Sequence, residues 1–460
     1  MAITALEDPP RLAGAAPPPG RRSFVQRWRD RRERLIPQVP DRAYDDPIVI
    51  TRGIAGRMAL VNDPAAVRRV LVENVANYPK TALELRFFKA IFGSGLLGID
   101  GELWRAHRRI MAPSFDPRSV ASYAPAVSSA ADDFVGHWRA LGPGAPIDMA
   151  EEMTDLTLRI ISRTMFSSDR PDLLNAIRGS LGAGSLAIGD ISILDLLPIT
   201  GEARMRRRER LIARTFAPLD AVVSEMIAER AAGAGEGPAD LLSRLMAAAN
   251  ETSRQLSAQE IRDEVVTIFV AGHETTAMTM SWTWYLLATH PAWAGRLEAE
   301  LDGVLGGRPA GQDDLPNLPL TRRIIEESMR LYPAAPGLST RVALADDTLA
   351  GEKIAKGTAI VLLPWVLHRH RRLWDDPERF DPDRFLPERS HGRPRFAFLP
   401  FGGGPRVCIG QVLAVNEAIL LLATLAQHFR PRMAPGAKVA LLHNVTLQPR
   451  HGLEMILEPR

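Results

Sequence analysis

A mainly helical chain with a few small β-sheets is what this sequence predicts, and three observations carry the prediction. The longest regular stretch opens at Ser257-Ala-Gln-Glu260, a capping box, and meets no proline until Pro291. A helix of that length must cross the core of a domain. Further helical patterns fill 117–140, 151–166, 202–232, 240–249, 291–305, 320–331 and 412–428. The β-like runs are short by comparison, at 47–51, 58–62, 338–343 and 358–363, with a hairpin expected from Val439 onward.

Size and composition set the outer bounds. By length alone, 460 residues would allow about three domains. The apolar share of 46% is ample for a large core. A net charge of only +3 gives no whole-chain case for binding nucleic acid. One cysteine excludes an internal disulfide and fits a reducing, cytoplasmic setting. No run of about 18 apolar residues occurs and the first residues lack a signal-peptide core, so no transmembrane anchor is expected.

Taken in order, residues 1–20 are rich in Pro, Ala and Gly and read as disordered. The basic stretch 21–34 reads as a solvated helix on the domain edge, and residues 1–40 form an N-terminal segment. Asp63-Pro64 opens a helix, with aspartate as N-cap and proline in the first turn. Residues 78–99 are apolar but broken by turn residues. Trp104 and Arg108 lie at i, i+4 and share a helix face. An apolar, glycine-interrupted segment spans 171–202 and a linker spans 233–237.

Midway along the long helix stands Ala271-Gly-His-Glu-Thr-Thr276. A glycine there costs about 1 kcal/mol against alanine, and two threonines soften the helix further. Ala271 and Thr275 are one turn apart, as are Gly272 and Thr276, so the small residues and the hydroxyls share a face. Such a spot is either a packing notch or a place where the helix opens beside a cofactor. Later, Glu327 and Arg330 stand at i, i+3, which alone would be an ordinary surface pair. Trp365, Trp374 and His368 read as core.

The stretch that organises the chain is Phe401-Gly-Gly-Gly-Pro-Arg-Val-Cys-Ile-Gly410, a tight loop ending at a helix N-terminus. Its glycines, Gly402, Gly403 and Gly404, let the backbone take φ > 0 and approach a flat ligand closely. A thiolate at Cys408 would be favoured by the helix dipole, by free N–H groups and by Arg406 two residues away. This stretch resembles the haem-binding loop of the cytochromes P450, F-x-x-G-x-R-x-C-x-G, with Phe401, Gly404, Arg406, Cys408 and Gly410 in its five fixed positions. Ala271–Thr276 resembles that family's [AG]-G-x-[DE]-T-[TS], Glu327 to Arg330 its E-x-x-R pair, and Pro377-Glu-Arg-Phe380 its P-E-R-F motif.

The resemblance covers roughly 40–460 and implies one cytochrome P450 domain from 41 to 460, mainly α with small β-sheets, its long central helix crossing beside haem. It implies haem b with Cys408 as the iron ligand, whose thiolate pushes electron density onto the metal. It implies that Trp104, Arg108, Arg341 and Arg406 hold the propionates. Phe401, Gly402, Gly410, Ala271 and Gly272 would also border the cofactor. Glu274 and Thr275 would be the acid and alcohol that deliver protons for O2 cleavage. Glu327, Arg330 and Arg379 would form a structural network. Residues 78–99 would cover the substrate pocket and the helical segments around 171–232 a lid. The activity implied is a monooxygenase that puts one atom of O2 into a hydrophobic small molecule, with electrons from NAD(P)H through a ferredoxin-type partner. A peroxide-dependent hydroxylase of the same fold is the alternative, and Glu274-Thr275 counts against it. A non-catalytic haem-thiolate ligand-binding protein is the third reading, against which the intact proton relay also speaks.

Overall fold

The computed structural model describes residues 12–13, 39–53, 56–170, 172–176, 178–180, 200–232, 240–251, 255–443 and 445–460. The basic stretch 21–34, the linker 233–237 and most of the segment 171–202 lie outside the described residues.

The first third of the chain gives β1 (Ile48–Gly53), β2 (Gly56–Val61), α1 (Pro64–Arg68), α2 (Ala82–Phe92), α3 (Gly101–Met111), α4 (Pro117–Leu141), β3 (Ala145–Asp148) and α5 (Met149–Phe166). The middle is helical: α6 (Thr200–Ala232), α7 (Leu241–Glu251), α8 (Ala258–Thr289), α9 (Pro291–Leu305) and α10 (Pro319–Leu331). The last third is mixed. It holds β4 (Arg341–Val342), β5 (Asp347–Leu349), β6 (Glu352–Ile354), β7 (Ala359–Val361), α11 (Pro364–Leu367), α12 (Pro387–Ser390), α13 (Gln411–Ala426), β8 (Arg432–Met433), β9 (Leu441–His443), β10 (Leu447–Pro449) and β11 (Glu454–Leu457).

The helix boundaries follow local chemistry. Asp63 accepts the N–H of Ala66 at 2.8 Å, so it caps α1 as expected. Ser257 accepts the N–H of Glu260 at 3.2 Å, and Glu260 accepts the N–H of Ser257 at 2.9 Å, closing the capping box of α8. Pro291 sits in the first turn of α9, and His290 ends α8 before it. Burial on nearly every face from Val265 to Leu287 matches a helix that crosses the interior.

The sheets are small. β1 and β2 form an antiparallel hairpin in register from Ile48↔Val61 to Gly53↔Gly56. β7 joins β2 in parallel and β4 closes the other edge, giving the order β1-β2-β7-β4. β3, β11 and β8 make a three-stranded sheet, β9 pairs with β10 as the expected hairpin, and β5 pairs with β6.

Three apolar clusters divide the core. One gathers the second half of α8 with α4, α9, α10 and α13, around Trp138, Trp282 and Leu421. A second joins α2, α3, α5, α6 and α7 to the first half of α8, through Phe87, Met165, Phe216 and Phe269. The third underlies the β1-β2-β7-β4 sheet. The cysteine loop stands where they meet. Leu399 belongs to the sheet cluster, Phe401 and Val415 to the α13 side, and Ile409 and Leu413 to the cluster around Phe269.

Near the amino terminus, Leu12 is buried in the first cluster. Ala13 donates its N–H to the Tyr285 hydroxyl at 3.3 Å and accepts from the Tyr332 hydroxyl at 3.0 Å.

Candidate active site

The cysteine loop is fixed from both ends. Upstream, Leu399 donates its N–H to Nε2 of His368 at 2.8 Å. His368 is fully buried, and burial, followed by the neighbouring Arg330 and Arg369, pulls its pKa down to about 3. The ring is therefore neutral and Nε2 can accept. Within the loop, Val407 donates to the Gly404 carbonyl at 3.0 Å, and Cys408 to that of Phe401 at 3.0 Å. Downstream, Gly410 leads straight into α13.

Two of the three glycines have the left-handed backbone expected, Gly402 and Gly404, each with φ of 69°. Gly403 is extended instead, with φ of −164°. Gly404 is the tightest position. A Cβ there would stand 2.0 Å from the Leu71 carbonyl oxygen, so no side chain fits without moving backbone.

The Cys408 side chain is accessible but crowded by the chain around it, and this crowding raises its thiol pKa. The backbone of Gly410 and the guanidinium of Arg108 pull it the other way. The cation that acts on the sulfur is thus Arg108, not Arg406. Arg406 turns aside to pair with Asp100, donates to the Ile99 carbonyl at 3.2 Å, and stacks 3.9 Å over the buried Trp104 ring.

Arg108 and Arg341 form no ion pair among the described residues. Arg341 is buried, its Nε has no hydrogen-bond partner, and burial lowers its pKa. Lys80, which carries no sequence signal, joins them. Its backbone bridges to that of Arg341, and its Nζ donates to the Leu97 carbonyl at 2.9 Å. Burial, then Arg406, pulls its pKa down to about 8, with a smaller push from Arg341. Arg108 beside an accessible thiol, together with the grouping of Lys80, Arg341 and Arg406, fits an anionic, flat, sulfur-ligated group such as haem with its two carboxylates.

Along α8, Thr275 donates its hydroxyl to the Ala271 carbonyl at 2.7 Å, and Thr276 to that of Gly272 at 3.0 Å. A Cβ at Gly272 would stand 3.3 Å from Ile161 of α5, so the glycine lets α5 approach closely on that face. Glu274 reaches to the C-terminal hairpin. Its Oε1 accepts from Thr446 Oγ1 at 2.6 Å and from Gln448 Nε2. Neither donor has a sequence signal, because each stands more than 170 positions from Glu274, Thr446 just before the short β10 and Gln448 within it.

The first half of α8 also fastens the stretch expected to cover the substrate pocket. Asp263 accepts from the Ser94 N–H at 2.7 Å, and Glu264 accepts from the Leu96 N–H at 3.1 Å. Glu264 also meets Nδ1 of the fully buried His107 at 2.7 Å. Burial raises the Glu264 pKa against the pull of that histidine. Of the charged residues in this stretch, Arg86 pairs with Glu209 of α6 at 2.7 Å and Lys89 is exposed.

The structural network differs from expectation in one member. Glu327 and Arg330 are fully buried and joined by two bonds, of 2.6 and 2.8 Å. The third member is Arg384, whose Nε donates to Glu327 at 3.0 Å. Arg379 is exposed and contributes only its carbonyl, which accepts from Arg330 at 3.0 Å. The sequence holds two copies of the pattern, Pro377-Glu-Arg-Phe380 and Pro382-Asp-Arg-Phe385. The second supplies the working side chain, because its 3₁₀ turn aims Arg384 at the interior.

A thiol loop seated at the meeting of three cores, with Arg108 acting on its sulfur and with Ile409 and Leu413 packed in the same cluster as a long helix that carries an acid and an alcohol, has the parts of a haem-thiolate oxygenase. The signature of the family described as Cytochrome P450 matches residues 41–454, and the chain belongs to that family. It is similar to cyclooctatin synthase of Streptomyces melanosporofaciens, at 37% identity over 86% of this chain and 85% of that one. It is also 37% identical to cyclooctat-9-en-7-ol 5-monooxygenase of the same organism, covering 91% of this chain and 89% of the relative. Pentalenene oxygenase of Streptomyces avermitilis is 34% identical, over 86% and 87% of the two chains. The solved heme domain of cytochrome P450DA shares the fold, with a TM-score of 0.77 and 28% identity across 90% of each chain. The chain is a cytochrome P450 monooxygenase.

Proposed function

We propose that this monooxygenase works in the cytoplasm and oxygenates a hydrocarbon-rich small molecule with electrons from NAD(P)H, passed on by a ferredoxin-type protein. The observation that carries the reading is that Arg108, whose charge acts on the Cys408 sulfur, and the buried Arg341 have no ion-pair partner among the described residues. Haem held there by the Cys408 sulfur supplies the oxygen-activating chemistry. Arg108, Arg341 and Lys80 bind its carboxylates, and Trp104 backs Arg406 at the same edge. Phe401, Gly402 and Gly410 border it on the loop side, Ala271 and Gly272 on the α8 side. Glu274 takes up protons at its carboxylate, and Thr275 passes them on at its hydroxyl.

The substrate class is supported by the apolar stretch over 82–99, which packs against Phe269 of α8. It is supported too by relatives whose names denote oxidation of pentalenene and of cyclooctat-9-en-7-ol. Beside the loop lies a cleft of about 900 Å³ that includes neither Cys408 nor α8. Arg68, Arg322 and Arg395 line it with one acid, Glu326, a charge balance that suits an acidic electron donor. The cytoplasmic setting rests on the single cysteine. Among the described residues no helix is long and apolar enough to cross a membrane.

The test is Cys408→Ser. The red-shifted absorption of the reduced carbon-monoxide complex, which depends on thiolate ligation, should vanish while the fold persists. A wild-type protein without that band would overturn the reading.

A further inference from the structure

We propose that Thr446 and Gln448 are positioning residues that hold Glu274 ready to cycle between its ionised and protonated forms. The inference rests on the reading of Glu274 as a proton carrier. Its basis is a closed triangle of hydrogen bonds. Thr446 Oγ1 donates to Glu274 Oε1 at 2.6 Å, Gln448 Nε2 donates to the same oxygen, and Gln448 Nε2 also reaches Thr446 Oγ1 at 3.1 Å. Among the described residues, Oε2 receives no donor. The carboxylate is thus gripped by one oxygen, and the other is left for exchange.

The partners are neutral, and that distinguishes this acid from its helix neighbours. Asp263 pairs with Arg262 at 2.6 Å, and Glu264 lies against His107. Had an arginine held Glu274, each protonation would break an ion pair and strand a cation, which is costly wherever water is scarce. A hydroxyl and an amide carry no such penalty. The Thr446 hydroxyl can also reverse, donating to the carboxylate and accepting from the carboxylic acid.

The frame behind the donors is rigid. Trp282, two turns along α8 from Glu274, donates its Nε1 to the Leu447 carbonyl at 3.0 Å. Leu447 donates its own N–H to the Ala334 carbonyl at 3.0 Å and is fully buried. Thr446 and Gln448 flank that pinned residue, so their side chains stand at a fixed height beside the helix. Thr446 is itself buried.

The experiment uses the full haem-loaded chain with Thr446→Val, Gln448→Leu, the double variant, Thr446→Ser and Glu274→Gln. The infrared carboxylate band of Glu274 is isolated by subtracting the spectrum of the Glu274→Gln protein. In the double variant this band should move, because two donors leave one oxygen. The share of NAD(P)H electrons recovered as hydrogen peroxide, with a surrogate ferredoxin and its reductase, should rise about twofold or more. Haem content should be unchanged, and Thr446→Ser should restore both band and peroxide share. An unmoved band, or a peroxide share that stays at the wild-type value while Glu274→Gln raises it, overturns the proposal and leaves the role of Glu274 standing. A Glu274→Gln protein with the wild-type peroxide share overturns that role itself.

Discussion

Arg330→Ala should be among the most damaging single substitutions in the chain, and the structure says by how much. The guanidinium makes five hydrogen bonds: two to Glu327, and one each to the carbonyls of His368 at 2.8 Å, Pro377 at 2.7 Å and Arg379 at 3.0 Å. Truncation strips Glu327 of its main partner, which in a buried pair costs about 3–5 kcal/mol. It also leaves three carbonyls short of a donor, at about 1 kcal/mol or more each. Glu327 keeps Arg384 and the Asp381 N–H at 2.9 Å, which offsets part of the loss. The net, about 4–6 kcal/mol, is a large fraction of a typical folding free energy. The damage should spread to the cysteine loop, because Arg330 braces the backbone of His368, the residue that receives Leu399. Soluble yield, haem content and the denaturant midpoint read the effect. Arg384→Ala should follow the same course more mildly, whereas Arg379→Ala should change stability by no more than about 0.5 kcal/mol. If Arg379→Ala proves as harmful as Arg384→Ala, the assignment of the network is wrong.

Other outcomes follow from single contacts. Thr275→Ala removes the hydroxyl bonded to the Ala271 carbonyl; haem binding should persist while more NAD(P)H electrons end as peroxide, and an unchanged share would remove Thr275 from proton delivery. Gly404→Ala must force the left-handed backbone and displace Leu71, at more than about 2 kcal/mol, and should lower haem content. Burial alone pushes the Glu417 carboxyl up from 4.5 to about 8. The folded chain therefore keeps a proton that the unfolded chain releases across that window. Its contribution is complete below the lower value and is lost as pH rises toward the upper one, by at most about 1.4 kcal/mol per pH unit. Glu417→Gln should flatten this fall, which denaturant midpoints recorded between about pH 5 and pH 8 would show.

What the sequence disclosed was whatever is written locally. The capping box of Ser257, the cap at Asp63 and the stop at Pro291 are each decided within a few residues, and each stands where expected. The cysteine loop was legible for the same reason, since its glycines and its sulfur are consecutive. What stayed hidden depends on distant partners. Lys80 meets Arg341 across more than 250 residues, and Thr446 meets Glu274 across more than 170. No periodicity reports such pairs. Arg379 and Arg384 carry almost the same local pattern, and only the path of the chain decides which one turns inward. The departure of Arg406 toward Asp100 has the same origin, because that acid is contributed by the stretch ahead of α3.

Leu12 and Ala13 give the amino terminus a weight its composition conceals. Ala13 is held by Tyr285 and Tyr332, and the Tyr332 ring stacks on Trp282 at 4.4 Å. Trp282 in turn carries the Leu447 carbonyl of the hairpin. Trimming that removes these two residues therefore withdraws a buried leucine and a backbone clasp from the aromatic interior of the enzyme rather than from its outline. A preparation that lacks them should differ at the hairpin as well, and its rates should not be pooled with those of the full chain.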